Sequence, residues 1–261
     1  MINVAICGVR GKMGDTLYKL CLKTSGINIV GAFERIDHPD VGILLDHILQ
    51  VNGLFQKRIA EIGADVILDF TEPSASVKHA SIAATHGKAI VIGTTNFSEN
   101  QKIYIKACAE SIPIVLAPNF SVGVNILFKV LADVAKITAD DYDVEIMEAH
   151  HNQKKDAPSG TAIKMGEIIA TTLERSFAMS AAYARKGLGE RAKDEIGIQS
   201  IRGGDIFGEH TIMFCGRGER LEFIHRASSR DNFARGAIRA AKWVVDKPVG
   251  LYDMQDVLGL R

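Results

Sequence analysis

The sequence predicts an α/β protein whose parallel sheet is followed by a second, α+β domain, and three observations carry that prediction. Short β-branched apolar runs alternate with longer helical patterns up to residue 116, as βαβ units require. A glycine-rich turn stands where the first strand gives way to the first helix. Beyond Pro118 the pattern changes to helix, strand, helix and hairpin.

The predicted strands span residues 2–7, 27–33, 64–70, 89–92 and 112–116, and the helices between them 13–24, 74–86 and 98–111. Crossovers are expected to be right-handed. Residues 37–63 mix helical periodicity with loop residues and read equally as a flap or a short helix pair. After Pro118, Val124, Leu127, Leu131 and Val134 recur at helical spacing, followed by a strand over 141–150, a helix over 161–175 and strands over 209–216 and 220–228. Residues 186–197 are polar and glycine-bearing, which reads as a surface loop. A last helix, 232–246, carries Phe233, Ile238, Ala241 and Val245 loosely on one face and is expected to return to the first domain. The domains are therefore placed at 1–121 completed by 232–261, and at 122–231.

With 261 residues, 47% hydrophobic and 24% charged, the chain has the balance of a globular protein able to bury a core. Lys plus Arg equals Asp plus Glu at 31 each, so no global field recruits nucleic acid or an anionic membrane. No apolar run approaches the ~20 residues of a spanning helix, and no cationic leader opens the chain, which reads as cytoplasmic. Cys7, Cys21, Cys108 and Cys215 are scattered, as reduced, buried thiols would be.

In "CGVRGKMG", Gly8, Gly11 and Gly14 stand at the strand-to-helix junction. Glycines there let the backbone approach a pyrophosphate, which the helix N-terminus favours electrostatically. The spacing is G-x-x-G-x-x-G rather than G-x-G-x-x-G, but Glu34 follows about twenty residues on, where an acid binds the ribose hydroxyls of a dinucleotide. Arg35 beside it offers a partner for a 2′-phosphate, so both NADH and NADPH fit, and Arg10 and Lys12 add local positive charge. "DFT", "GTT" and "APNFSVGVN" each follow a strand, where cofactors bind.

"EAHHNQKKDAPSGTA", residues 148–162, is the densest polar run. His150 and His151 exchange protons near neutral pH, Lys154 and Lys155 supply cations, and Pro158, Ser159, Gly160 and Thr161 open a helix whose free amides suit a carboxylate. A metal held by His150, His151 and Asp156 is the rival reading; adjacent histidines on a strand point to opposite faces, which disfavours it. His38, His47, His79, His86, His210 and His225 lack such company and read as structural or surface residues.

Together with "RGGDIFGEHTIMF", "HRASSRDNFARGA" and "GLYDMQDVLGL", these motifs make the chain resemble, nearly end to end, the 4-hydroxy-tetrahydrodipicolinate reductase family, historically the dihydrodipicolinate reductases, of the bacterial diaminopimelate and lysine pathway. The resemblance implies a Rossmann-type domain completed by the C-terminus, a substrate domain with a mixed sheet, and a homotetramer assembled through that sheet. It implies that Gly8, Val9, Arg10, Gly11, Lys12, Met13, Glu34, Arg35, Gly93, Thr94, Thr95, Ala117, Pro118, Asn119 and Phe120 touch NADH or NADPH. It further implies that His150 and Lys154 transfer protons, and that His151, Gly160 and Thr161 bind a small cyclic dicarboxylate, with no metal, nucleic acid or membrane partner. Lys12 stands where the family's glycine loop usually has arginine, keeping the charge but losing the bidentate fork. Two other readings share the nucleotide end: another small-substrate dehydrogenase, which would lack the histidine-lysine run, and a nicotinamide-sensing regulator, which needs no proton donor.

Overall fold

The structure, a computed structural model, describes residues 1–45, 49–53 and 55–261. Two compact units are formed, one by Met1–Val122 with Arg230–Arg261 and one by Gly123–Ser229. In chain order the elements begin with β1 (Ile2–Cys7), α1 (Lys12–Leu22), β2 (Ile27–Phe33), β3 (Leu44–Leu45), β4 (Leu49–Asn52), α2 (Phe55–Arg58), β5 (Val66–Asp69), α3 (Pro73–Thr85), β6 (Ala89–Ile92), α4 (Glu99–Cys108) and β7 (Pro113–Leu116). There follow α5 (Val122–Thr138), β8 (Asp143–His150), α6 (Gly160–Thr172), α7 (Phe177–Ser180), β9 (Ala181–Tyr183), β10 (Ile196–Arg202), β11 (Gly208–Cys215) and β12 (Arg220–Ala227). The chain closes with α8 (Asp231–Val244), β13 (Gly250–Tyr252) and α9 (Met254–Leu258).

In the first unit the strand order is β13-β7-β6-β5-β1-β2-β4-β3, parallel except for the β3–β4 hairpin. Every residue of β5 and β6 is buried, because helices cover both faces. Alternation along β1 sends Val4 and Ile6 into one core, with Leu17 of α1 and Ala237, Ala241 and Val244 of α8. Ala5 and Cys7 enter the other, with Ile67, Ile90 and Ile105. From β1 the chain winds outward to β2 and then returns to β5 on the other side, so the strand order reverses between β1 and β5, where a ligand crevice opens in such sheets.

In the second unit the order is β12-β11-β8-β10-β9, with β8, β9 and β10 parallel and β11 antiparallel to β8 and β12. Along β8, Val144, Ile146, Glu148 and His150 are buried and the residues between them are more open. Val144 and Ile146 share their core with Leu131 of α5 and Met165 and Ile169 of α6. On the opposite face, Met147, Ile201 and Ile224 remain 38%, 46% and 46% exposed.

The structure resolves what residues 37–63 leave open in sequence: β4 pairs in parallel with β2 through Ala32–Val51 and Phe33–Asn52, and β3 folds back on it. Strands of two and four residues carry too little alternation to read. His47 lies outside the described residues. The loop expected over 186–197 stops earlier, because Ile196 and Gly197 already belong to β10, where the Glu145 carboxylate occupies the space a Cβ on Gly197 would need. The buried stripe of α8 centres on Ala234, Ala237, Ala241 and Val244, while Phe233 and Val245 are only half-buried. Small residues dominate there because α8 lies very close to the chain beneath it: a Cβ on Gly236 would stand 1.8 Å from the Phe120 carbonyl oxygen. Among the described residues no helix is long and apolar enough to cross a membrane.

Gly236→Ala is therefore expected to destabilise the protein by about 1–3 kcal/mol, read as a lower urea midpoint. Gly203→Ala, with nothing within 4 Å of its added Cβ, serves as the neutral control. Equal midpoints for the two variants would contradict the close approach of α8.

Candidate active site

The glycine turn is built to expose backbone. Gly8, at φ +73, adopts a conformation that side chains disfavour, and its amide donates to the Phe33 carbonyl at 2.8 Å, tying the turn to the end of β2. A Cβ on Gly14 would stand 1.9 Å from the Gly8 carbonyl oxygen, so only glycine lets α1 start directly on the turn. Gly11 caps α1 without any side-chain hydrogen bond, leaving its first amides to an anion. Glu34 stands at the rim, accepting from the Arg10 amide (3.1 Å) and from the Arg35 amide (3.1 Å). Each carboxylate oxygen keeps a lone pair for a hydroxyl. Arg10 pairs with Asp40 at 2.5 Å and Arg35 with Asp37 at 3.4 Å. Gly8, Arg10, Gly11, Glu34 and Arg35, with Thr71, line a cleft of about 760 Å³.

The loops beyond β5 and β6 are joined through Asp69, a carboxylate with no exposure. Its Oδ1 accepts from the Thr71 amide (3.1 Å), the Thr71 hydroxyl (2.7 Å) and Ser76 (3.0 Å), while Oδ2 lies 2.6 Å from His79 Nδ1. Thr94 turns its hydroxyl inward to accept from the Thr71 amide (3.1 Å) and Ser76 (2.7 Å), so it supports the loop rather than facing solvent. Gly93 abuts Phe70, whose ring lies 5.4 Å from that of Phe120. Val9, Thr94, Ala117 and Phe120 have buried side chains, whereas Lys12, Thr95 and Pro118 are exposed and Met13 and Asn119 are half-buried.

In the second unit the two-residue period of β8 puts Glu148 and His150 on one buried face. Glu148, with no exposure, takes Arg202 as a two-pronged donor (2.8 and 2.7 Å) and the Ser159 amide (3.1 Å). His150 Nδ1 lies 2.6 Å from Glu148 Oε2. Burial pushes the Glu148 carboxyl up, but bonds from His150, Arg202 and Ser200 prevail and hold it well below the usual carboxylate range. The ionised acid therefore accepts from His150 Nδ1–H, leaving Nε2 as the ring nitrogen turned away from the carboxylate. Beside Nε2 stands Gly208, at φ +154, where a Cβ would come within 2.9 Å.

Ser159 caps α6, its Oγ accepting from the Ala162 amide (3.2 Å) and lying 3.0 Å from His210 Nε2. His210 is 4% exposed, and its ring meets that of His150 edge-on at 5.3 Å. Burial first, and the neighbouring His150 second, push His210 down to about 3, so it is neutral at pH 7. Lys154 is held by Asp156 at 2.8 Å. The His151 backbone amide donates to Ile206 O (2.7 Å), and the buried His151 Nδ1 has no hydrogen-bond partner among the described residues. At Gly160 the space a side chain would take is open, and Thr161 follows in the first turn of α6. Among the described residues no three His, Cys, Asp or Glu side chains group to hold a metal.

In local sequence Arg202 carries no signal, Asp69 reads only as part of a cofactor-side loop after a strand, and His210 reads as structural or surface. Arg202 and His210 both lie in "RGGDIFGEHTIMF", but 50 to 60 residues separate them from His150, and only the pairing of β8 with β10 and β11 brings them together. Glu148 was within reach of sequence reasoning, since a residue two before His150 on a strand shares its face.

His210 also links stability to pH. Because it stays neutral in the fold down to about 3, its contribution is complete above about pH 6.5, the ordinary histidine value, and is lost as the pH falls towards 3. His210→Gln is expected to flatten the decline of the urea midpoint between about pH 6.5 and pH 4. Parallel declines for variant and parent would contradict the buried neutral ring.

A family model described as dihydrodipicolinate reductase, N-terminus, matches residues 2–120, and one described as dihydrodipicolinate reductase, C-terminus, matches residues 123–258. The 4-hydroxy-tetrahydrodipicolinate reductases of Geotalea uraniireducens and Syntrophus aciditrophicus are 51% and 52% identical to the chain, both matches covering all of each partner. The dipicolinate-bound dihydrodipicolinate reductase from Paenisporosarcina sp. TG-14 superposes at a TM-score of 0.77, with 29% identity and 98% of both chains covered. GenD2 from gentamicin A biosynthesis, in complex with NAD, shares the fold at a TM-score of 0.65 and 12% identity over 99% of this chain and 90% of its own. The N-terminal unit is a nicotinamide-dinucleotide-binding Rossmann domain. Matched by both family models over nearly its whole length, the chain belongs to the dihydrodipicolinate reductase family.

Proposed function

We propose that this chain reduces 4-hydroxy-tetrahydrodipicolinate to tetrahydrodipicolinate, with loss of water, using NADH or NADPH, in the diaminopimelate route to lysine. The observation that carries this reading is the state of His150: Glu148 occupies its Nδ1 side, Gly208 leaves room beside Nε2, and the N-terminus of α6 opens nearby in sequence at Gly160. A nucleotide sensor has no use for such a proton donor, and the 50%-identical relatives bear the reductase name.

The glycine turn fits a dinucleotide, since a Cβ at Gly8 or Gly14 would fill the space next to its backbone. Gly8 to Met13 would hold the pyrophosphate against the first amides of α1, Glu34 the ribose hydroxyls and Arg35 a 2′-phosphate. Gly93 to Thr95 and Ala117 to Phe120 would flank the nicotinamide, the buried Val9, Thr94, Ala117 and Phe120 through backbone. When bound, the reduced nicotinamide supplies the hydride for ring carbon 4. The protein supplies position and moves protons: the ring gives up a C–H proton as the protonated 4-hydroxyl leaves as water, and it takes up one proton as the hydride arrives, an exchange assigned to His150 Nε2 and Lys154. His151, Gly160 and Thr161 would bind the carboxylates, the last two by the free amides of α6. We assign the enzyme to the cytoplasm as a homotetramer, for which the half-open apolar face of Met147, Ile201 and Ile224 is the support.

Turnover is tested by following NADH and NADPH oxidation separately while the substrate is made in place from pyruvate and aspartate semialdehyde by its synthase. Oxidation that requires the synthase is expected; none from folded, cofactor-binding protein would refute the reading. His150→Gln and Lys154→Ala should each lower turnover by about 10²- to 10⁴-fold with nucleotide affinity retained. Glu34→Ala should weaken NADH binding more than NADPH binding in a fluorescence titration, and an equal loss for both would contradict the ribose-hydroxyl role.

A further inference from the structure

We propose that Arg202 and Glu148 are positioning residues that act through His150, the carboxylate fixing the Nδ1–H tautomer and the guanidinium balancing the carboxylate's charge so that Nε2 can both give and take a proton. The proposal rests on the reading of His150 as a proton-transfer residue and deepens it.

A buried carboxylate facing only an imidazole would hold the ring as imidazolium, because an unopposed anion at such range favours the charged form. Here the same carboxylate is gripped by both Nη atoms of Arg202 at 2.8 and 2.7 Å, a two-pronged geometry in which the guanidinium offsets its charge. Glu148 and Arg202 together carry no net charge, so His150 faces a strong acceptor whose charge is already offset. The third elements of the arrangement point the same way. His210 of β11, neutral, meets the ring edge-on, with His225 of β12 beyond it. From the loop after β8 come Lys154 and Asp156, themselves an ion pair. The Glu148–Arg202 pair is therefore the buried charge balance at His150 Nδ1.

Arg202 has a second grip. Its Nη2 also donates to the Asp156 carbonyl at 2.7 Å, and the Asp156 carboxylate holds Lys154 at 2.8 Å. One guanidinium at the end of β10 thus touches the partner of each proposed proton-transfer residue.

A purely structural ion pair and a relay differ in what happens to the pH dependence of kcat/KM. Glu148→Gln removes the anion and should move the limb that reports His150 to lower pH. Arg202→Met removes the balancing cation and should move the same limb to higher pH. Each shift is expected to be about one unit, with the limb identified by its absence in His150→Gln. Arg202→Lys, which keeps a cation but not the fork, should hold the limb near the parent position with reduced kcat. Limbs that stay put while activity falls, or that move in the same direction in both variants, would overturn the relay. Binding of NADH confirms folding in each variant. If Glu148→Gln does not fold, the contrast between Arg202→Met and Arg202→Lys decides: a limb raised only in Arg202→Met supports the relay, and equal limbs overturn it. Should the parent protein show no turnover at all, the functional reading fails, and the imidazole titration of His150 by NMR in the same variants still supports the relay by opposite shifts or overturns it by their absence.

Discussion

A carboxylate removed from water must have its oxygens bonded on every side, and both candidate sites are organised by that requirement. Asp69 at the end of β5 and Glu148 near the end of β8 have no exposure. Asp69 gathers Thr71, Ser76 and His79, and through Ser76 and Thr71 the Thr94 hydroxyl, so that loops from two strands become one rigid rim. Glu148 gathers His150, Ser159 and Arg202 from three separate segments. Each acid converts the ends of strands, which the sheet already brings near one another, into a defined arrangement of donors. Removing either would leave several buried polar groups without partners at once, which is costlier than losing one bond.

Backbone proximity is the second recurring device. Gly14 lets α1 begin against the Gly8 carbonyl, Gly236 lets α8 lie against Phe120, and Gly208 leaves room beside His150 Nε2. In the first two cases the absent side chain brings helix and loop backbone into contact; in the third it keeps a Cβ from crowding the imidazole. The alanine-rich face of α8 serves the same end, packing a segment from the far end of the chain into the core built by β1 and α1. β13 then extends that sheet beside β7.

Legibility in sequence followed the physics of each element. β1, β2 and β6 read directly, because short, mostly apolar and β-branched runs flanked by turn residues have few other uses. The hairpin of β3 and β4, the three-residue strands β9 and β13, and the whole of β10 did not, the first three being too short to show a period and β10 broken by Gly197, Gln199 and Ser200. The glycine turn of Gly8, Gly11 and Gly14 and the place of Glu34 at the end of β2 were legible as candidates because a turn and an acid at fixed spacing are local facts. So was the run from His150 to Thr161. The burial of Thr94, which turns its hydroxyl away from solvent, was not.

By itself the sequence determined the alternation of strand and helix, the exposed turn that begins α1, and a dense run of histidines and lysines between β8 and the start of α6, since all of these depend on residues within a few positions of one another. Only the tertiary structure decided which nitrogen of His150 is free, that His210 is a buried neutral neighbour, and that Arg202 balances Glu148. Those outcomes depend on burial and on strand pairing across tens of residues. Electrostatics in a low-dielectric interior is set by the groups that end up a few ångströms away, whatever their distance along the chain.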